Sequence, residues 1–354
     1  MAYSHLLWYN IDRGIEKGNN MKKKLLTLLA LVVCFALIFT LSGCKKDDGA
    51  DIDSNINPLT GETLEKPIEA GRPLQVSIDN VGSAIPQSYL SVADMVYEFP
   101  VEGRQTRLQA IFYGEIPDHF GPIRSVRPYF VDLAREYKSL FLGHGWSPAA
   151  KTYLLNDVVP YINAMNSDCS FYRVSDKENP HDSYLDWSEV ERKIEENGWW
   201  DEKVEIKPFQ FLDAEAEDAD KDEKDAKAAS YITVYYGASN CEYTYDPETK
   251  LYTRTVEGGQ YVDRETDEPI TVSNVLIQRV TSTVLDEKGR LEINMCAGGD
   301  AVLYTNGKVV EGTWSRADLD SRTVFVDKEG NEFELSVGST WVQIADQSCT
   351  VTHK

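Results

Sequence analysis

The sequence predicts an α+β protein, in which an N-terminal domain of α/β-type layers is followed by a smaller, mainly β C-terminal domain. Three observations predict it. From Ala70 to Leu212, short apolar strand patterns alternate with amphipathic stretches of helical period. From Ser230 to Asp346, short apolar runs recur at regular spacing with tight-turn residues between several of them. Between the two, Asp213–Lys227 holds no aromatic or branched apolar residue, so it cannot bury enough surface to offset the entropy of ordering.

A chain of 354 residues suits two domains of ordinary size. With 42% hydrophobic and 27% charged residues it can build a real core, which excludes a wholly disordered chain. Its net charge of -22 repels phosphate backbones and argues against a nucleic-acid partner.

The elements follow in order. Met1–Asn20 does not resemble the start of a mature protein and is read as an extra leader or a mis-assigned start. Met21 opens a second beginning. Lys22, Lys23 and Lys24 are followed by the apolar run Leu25–Thr40 and then by Leu41-Ser42-Gly43-Cys44. The run is shorter than the roughly 20 residues of a spanning helix. Charge, short apolar core and small residues make a signal peptide over 21–43. Its ending resembles the bacterial lipobox, in which the cysteine thiol takes a diacylglycerol. Cys44 is therefore the expected lipidation site, mature N-terminus and membrane attachment.

Residues 44–69 read as a flexible tether. Asp51, Asp53, Asn55 and Glu62 mimic calcium-loop spacing, but Ile56 stands where the turn needs glycine, so a solvated linker explains them better.

The N-terminal domain spans 70–212. Strand patterns fall at Leu74–Ile78, Thr106–Tyr113 and Ser139–Gly143, and Leu90–Val96 carries an apolar pattern. Helical patterns fall at Tyr129–Tyr137, at Ala149–Asp157 and at Trp187–Asn197, which stops at Gly198. Gly145-Trp146-Ser147-Pro148-Ala149 nearly spells a hydrolase elbow. Pro148 lacks the N–H that would help hold an oxyanion, so Ser147 reads as a helix N-cap with Pro148 in the first helical position.

An acidic linker at 213–229 leads to the C-terminal domain, 230–346. Its expected strands are Tyr231–Tyr236, Leu251–Val256, Val275–Val284, Arg290–Met295, Ala301–Thr305, Thr323–Val326 and Thr340–Ile344. Asn306-Gly307 is the strongest hairpin signal. Residues 347–354 form a tail. Cys169, Cys241, Cys296 and Cys349 allow three complete pairings, and none has the spacing of a zinc site, so no metal or other cofactor is expected.

Several stretches carry a resemblance. They include Asn-Pro-Leu-Thr-Gly at 57–61, Ile-Asp-Asn at 78–80 and Pro-Gln-Ser-x-Leu-Ser-x-Ala-Asp-Met-Val-Tyr-Glu at 86–98. Val-Glu-Gly at 101–103, Gly-Pro-Ile-Arg-Ser-Val-Arg-Pro-Tyr-Phe at 121–130 and Pro180-His181 continue it. In the second half, 245–254, 274–278, 306–314 and 338–343 match as well. Together they resemble the YerB-like lipoproteins of Gram-positive bacteria over nearly the whole mature chain. The sequence departs at Arg104, where that family usually has glycine, and at Asp182, where it often has asparagine. The resemblance implies a two-domain, lipid-anchored protein on the extracytoplasmic face of the cell membrane, near cell-wall synthesis. It implies no settled reaction, because both domains are of unknown function.

The densest polar cluster is Glu98, Glu102, Arg104, Arg107, Arg124 and Arg127. Arg124 and Arg127 flank Ser125 between Pro122 and Pro128, where two guanidiniums can grip a carboxylate or phosphate. The bland alternative pairs them internally with Glu98, Glu102 or Asp94 and pins a loop to the sheet. His144 and His181 are candidate catalytic groups, with Ser147 and a distant Asp completing a triad on paper. Lone histidines are more often structural. Trp146, Trp199, Trp200, Trp314 and Trp341 could line a glycan platform, or simply pack.

Two readings follow. The first is a non-enzymatic binding or scaffold lipoprotein of the cell envelope, whose partner is a wall component or a membrane-bound protein. The alternative is a wall-directed hydrolase using His144, His181 and Arg124. Clustering of these side chains in one open site would favour the hydrolase.

Overall fold

Leu-Gln-Val-Ser-Ile-Asp alternates apolar and polar residues, and it forms strand β1 (Leu74–Asp79), all six residues of which are buried. A strand buried on both faces needs cover on both, and that need explains the layering. The computed structural model describes residues 55–64, 71–156, 158–166, 169–199, 204–212 and 227–354. The expected leader, signal peptide and Cys44 lie outside these. So do Asp51, Asp53, Trp200 and residues 213–226 of the linker.

In chain order the principal elements are β1, β2 (Met95–Pro100), β3 (Thr106–Phe112), α1 (Pro128–Glu136), β4 (Leu140–Gly143), α2 (Pro148–Leu154), β5 (Tyr161–Asn163) and α3 (Trp187–Asn197). There follow β6 (Tyr231–Tyr235), β7 (Asn240–Asp246), β8 (Leu251–Val256), β9 (Asn274–Arg279), β10 (Gly298–Thr305), β11 (Lys308–Ser315), β12 (Thr340–Ala345) and β13 (Thr350–His353). The fold is α+β, with mixed sheets and few helices.

An eleven-stranded mixed sheet carries the order β11-β10-β9-β12-β2-β3-β1-β4-β5 along most of its length. β12 lies between β9 and β2, parallel to both, with Val96 opposite Trp341 and Glu98 opposite Gln343. The N- and C-terminal halves therefore share one hydrogen-bonded sheet, although a linker rich in acid separates them in sequence. A smaller antiparallel sheet, built on β8-β7-β6-β13, covers one face of it. Val76, Ile78, Val96, Leu108 and Trp341 pack there with Ile232, Val234, Tyr243 and Tyr252, and with Val190 and Ile194 of α3. On the opposite face Tyr97, Phe99 and Ile111 pack with Phe130 and Leu133 of α1 and with Ala150 and Leu154 of α2.

Local signals account for the helix ends. Ser147 Oγ accepts from Ala150 N at 3.3 Å with Pro148 at the first position, so Ser147 caps α2. Gly198, at φ 67°, ends α3. Asn306 and Gly307, both at positive φ, turn β10 into β11 with Thr305 opposite Lys308.

Other expectations are corrected. Residues 55–64, assigned to the tether, pack into the fold. Asn57 donates to Asp94 at 2.5 Å, and Leu59 and Thr60 are buried. Leu90–Val96 is a 3-10 turn followed by β2, because buried Asp94 interrupts the apolar run to accept from Tyr113 N and Gly114 N. The tail contains β13, paired with β6. Lys227–Ala228, placed in the linker, pairs with β11. Val275–Val284 divides into β9 and a short strand, Ser282–Val284. The strand β7 is missing from the sequence-based expectations, although Asn-Cys-Glu-Tyr-Thr-Tyr-Asp alternates, because Cys241, Tyr243 and Tyr245 rather than aliphatic residues carry the alternation.

Candidate functional site

The carboxyl ends of parallel strands are where α/β sheets hold ligands, because side chains and loops converge there. β1 and β4 are parallel neighbours, ending in Asp79 and Gly143. The proline-bounded segment 121–127 is laid across both ends. Asp79 N donates to Pro122 O at 2.9 Å, Arg124 N to Ser77 O at 2.8 Å and His144 N to Arg124 O at 3.0 Å. A Cβ on Gly143 would stand 2.4 Å from Val126 Cγ2, so glycine permits this close approach. The expected held loop is held by backbone bonds.

Asp79 is buried at the centre of the site. Its Oδ2 lies 2.7 Å from His181 Nδ1 and 3.0 Å from Arg124 Nε. The arginine contact is off the hydrogen-bond line, so Arg124 Nε lacks a hydrogen-bond partner, and the other carboxylate oxygen, Asp79 Oδ1, has none either. Arg124 and His181 keep about a quarter and a fifth of their side chains exposed. Arg107 sits opposite Asp79 in the β1–β3 register and donates Nη1 to Ser125 O at 2.7 Å. Burial, then the neighbouring Arg127 charge, pushes the Arg107 guanidinium down to about 10, against the pull of Asp79. Lys177 also lies within electrostatic reach of Asp79, and Arg173 and Arg124 lie within reach of His144. Positive groups thus outnumber Asp79, Glu102 and Asp182 locally, in a chain that is strongly acidic overall.

The arginine–carboxylate cluster expected from sequence divides. Arg127 grips Glu102 with two bonds, Nε to Oε1 and Nη2 to Oε2, both 2.8 Å. Burial raises the Glu102 carboxyl, but this grip holds it below its ordinary value. Glu98 does not join the loop arginines. It lies opposite Leu108, whose neighbour Arg107 points to the other face, because side chains alternate along a strand. Glu98 instead meets Arg254 Nη2 at 2.8 Å and Gln343 Nε2 at 3.0 Å under the smaller sheet. Arg104 donates to Tyr236 O and Ser348 O.

His144 and His181 come to the same region with different partners. His144 Nδ1 lies 2.5 Å from Ser183 Oγ, while His181 holds Asp79. A hydrolytic triad needs one imidazole between serine and carboxylate. Here the serine and carboxylate contacts fall on two imidazoles, and Ser183 is 1% exposed. Burial, then Arg173 and Arg124, pushes the His144 pKa down, which keeps it neutral at pH 7.

In the sequence Asp79 stands out only as part of the Ile-Asp-Asn stretch at 78–80. The available signal was the strict alternation of β1, whose polar residues Gln75, Ser77 and Asp79 point to the helix face beside Arg107 and Gln109. Gln75 Nε2 there reaches Phe130 O at 2.9 Å and Gln109 Oε1 at 3.1 Å. Among the tryptophans, Trp314 and Trp341 are core residues, and Lys151 sits 5.5 Å over the Trp146 ring. No disulfide joins Cys169, Cys241, Cys296 or Cys349 to one another. No group of metal-ligating side chains gathers among the described residues.

Comparisons with known proteins agree on one family. Residues 59–200 match the N-terminal domain of "Protein of unknown function (DUF3048)", and residues 232–342 match its C-terminal domain. The chain is 35% identical over 328 residues to "Putative lipoprotein YerB" of Bacillus subtilis (strain 168), covering 91% of this chain and 95% of that protein. The crystal structure of the YerB protein from Bacillus subtilis superposes with a TM-score of 0.73 at 33% identity. That match covers 84% of this chain and 99% of the other.

Proposed function

The chain belongs to the DUF3048 family, and from that premise we propose that it is a lipid-anchored, extracytoplasmic binding protein of the cell envelope. In this reading Cys44 carries a diacylglycerol and holds the protein on the outer face of the cell membrane. The site around Asp79 binds an anionic group of a wall component or of a membrane-bound partner, without a chemical step.

One observation carries the binding role. A single buried carboxylate aims an arginine and a histidine outward together, among a local excess of positive charge. The Arg124 Nη atoms make no hydrogen bond to another described residue, so the two terminal guanidinium nitrogens are available as donors to an incoming oxyanion, with His181 held beside them by Asp79. His144, His181 and Arg124 do come to one partly open region, which the hydrolase also requires, but the division of serine and aspartate between two histidines supports the binding reading. The name of the 35% identical relative supports the anchor.

Pull-down of the anchored protein from membranes tests both parts. The wild-type chain should bring down a discrete partner or wall fragment, Arg124→Ala should lose it, and Cys44→Ala should leave the membrane fraction. Lipid labelling of the Cys44→Ala chain would overturn the anchor. A partner retained in full by Arg124→Ala would overturn the site.

A further inference from the structure

A cavity of about 210 Å³ lies in the seam between the two sheets, where the smaller sheet leans on β2. Glu98 and Arg254 are its buried floor, and Gln105, Glu257 and Gln260 are its exposed rim, so it is open to solvent. Sites for drug-sized ligands run to roughly 300–1,000 Å³, so this one suits a single small molecule.

Two buried polar atoms of the lining residues make no hydrogen bond. Asn240 Oδ1 is an acceptor and Arg254 Nε is a donor. Arg254 commits its other two nitrogens to Tyr243 Oη at 2.6 Å and Glu98 Oε2 at 2.8 Å. The Cys241 thiol also meets the guanidinium, but a thiol is only a weak acceptor. A buried donor and a buried acceptor left unpaired each cost stability, and an occupant of the cavity they share can satisfy both.

The lining narrows the chemistry of that occupant. A secondary amide carries a carbonyl oxygen beside an N–H, and so matches the orphaned donor and acceptor together. Val81, Ile85 and Val256 supply an apolar wall for a methyl group next to the amide. Gln105, Ser239 and Gln260 both donate and accept, which suits hydroxyl groups. Glu98 neutralises Arg254, and Glu257 is then the remaining charge in the wall, so an anionic ligand is disfavoured. An acetamido group on a neutral, hydroxylated ring meets all four conditions. An N-acetylated amino acid would bring its carboxylate towards Glu257.

We infer that this cavity binds a neutral N-acetylated sugar, with the acetamido carbonyl at Arg254 Nε, its N–H at Asn240 Oδ1 and the hydroxyls at the rim. The inference goes beyond the anion site at Asp79 and does not rest on it, because Asp79 points to the helix face of the large sheet and this cavity lies on the other face.

Calorimetric titration of the mature chain tests the inference. The probes are N-acetylglucosamine, N-acetylgalactosamine, glucose, glucosamine and N-acetylalanine. At least one of the two N-acetylated sugars should bind at millimolar concentration, and the other three probes should bind at least about tenfold more weakly. Asn240→Ala should weaken sugar binding about tenfold with an unchanged or higher melting temperature, because it removes an acceptor that has no partner. Ser239→Trp, which fills the mouth from a half-buried turn position, should abolish binding. Arg124→Ala should leave it intact, which separates this cavity from the Asp79 site. Failure of both N-acetylated sugars to bind at millimolar concentration would overturn the inference. Equal binding of glucose, glucosamine or N-acetylalanine would overturn it too, as would undiminished binding by Asn240→Ala or Ser239→Trp. A lower melting temperature for Asn240→Ala would show that its carboxamide is engaged in the fold, and loss of binding in Arg124→Ala would place the sugar at Asp79; either result contradicts the inference.

Discussion

Arg254 Nη2 lies 2.8 Å from Glu98 Oε2, and each side chain is only 1% exposed. Arg254 stands on β8 of the smaller sheet and Glu98 on β2 of the large one, so the contact joins the two halves of the chain. The guanidinium also lies 4.3 Å from the Trp341 ring centroid and within reach of Tyr243 and Tyr261. Glu98 accepts from Gln343 besides. Removing one member leaves the other charge buried without its counter-ion, which costs about 3–5 kcal/mol. Glu98→Gln and Arg254→Met should each destabilise by that order in urea denaturation. The double variant should recover much of the loss, because a neutral pair leaves no orphaned charge. Two mild, additive single effects would mean that the pair is not coupled.

Cleavage within residues 213–226 should leave two fragments that stay together under native conditions. The reason is β12, which inserts between β9 and β2 and ties the C-terminal half into the N-terminal half's sheet. Limited proteolysis followed by size exclusion reads this directly. Fragments that separate without denaturant would show that the linker joins independent domains.

Ser147→Ala should lower stability by about 1 kcal/mol, the usual cost of a lost N-cap, and leave partner binding unchanged. The single bond from Ala150 N to Ser147 Oγ carries this expectation. Labelling of Ser147 by a serine-directed phosphonate would contradict it and revive the hydrolase reading.

Asp94 introduces a pH dependence of opposite sign to a surface ion pair. Burial pushes its carboxyl up to about 6, despite donors from Gly114, Tyr113 and Asn57. Its ordinary value is 3.8, so between the two the native state binds more protons than the unfolded chain. Stability from this group therefore falls as pH rises from below 4 to above 6, by on the order of 3 kcal/mol. Asp94→Asn should remove that slope. Urea midpoints of both proteins across this window check it, and a pH-independent difference between them would sink the assignment.

Much of this protein was legible without its structure, and the legible part is local. Helix ends at Ser147-Pro148 and Gly198 and the hairpin at Asn306-Gly307 are set by short-range sterics and hydrogen bonding, which a few consecutive residues specify. The held arginine loop was legible because its prolines limit the backbone choices, but the sequence left Glu98, Glu102 and Asp94 open as its partners, and only the fold brings Glu102 to Arg127 across 25 residues. What only the tertiary structure decided is which distant strands become neighbours. Trp341 pairs beside Val96, and Glu98 takes Arg254 rather than the nearby Arg107. Strand alternation sends Glu98 and Arg107 to opposite faces, and the register of a far-off strand then supplies the partner. Asp79 illustrates the same rule. Its alternating strand was visible, but its role came from His181 and Arg124, brought to it by the close of the sheet.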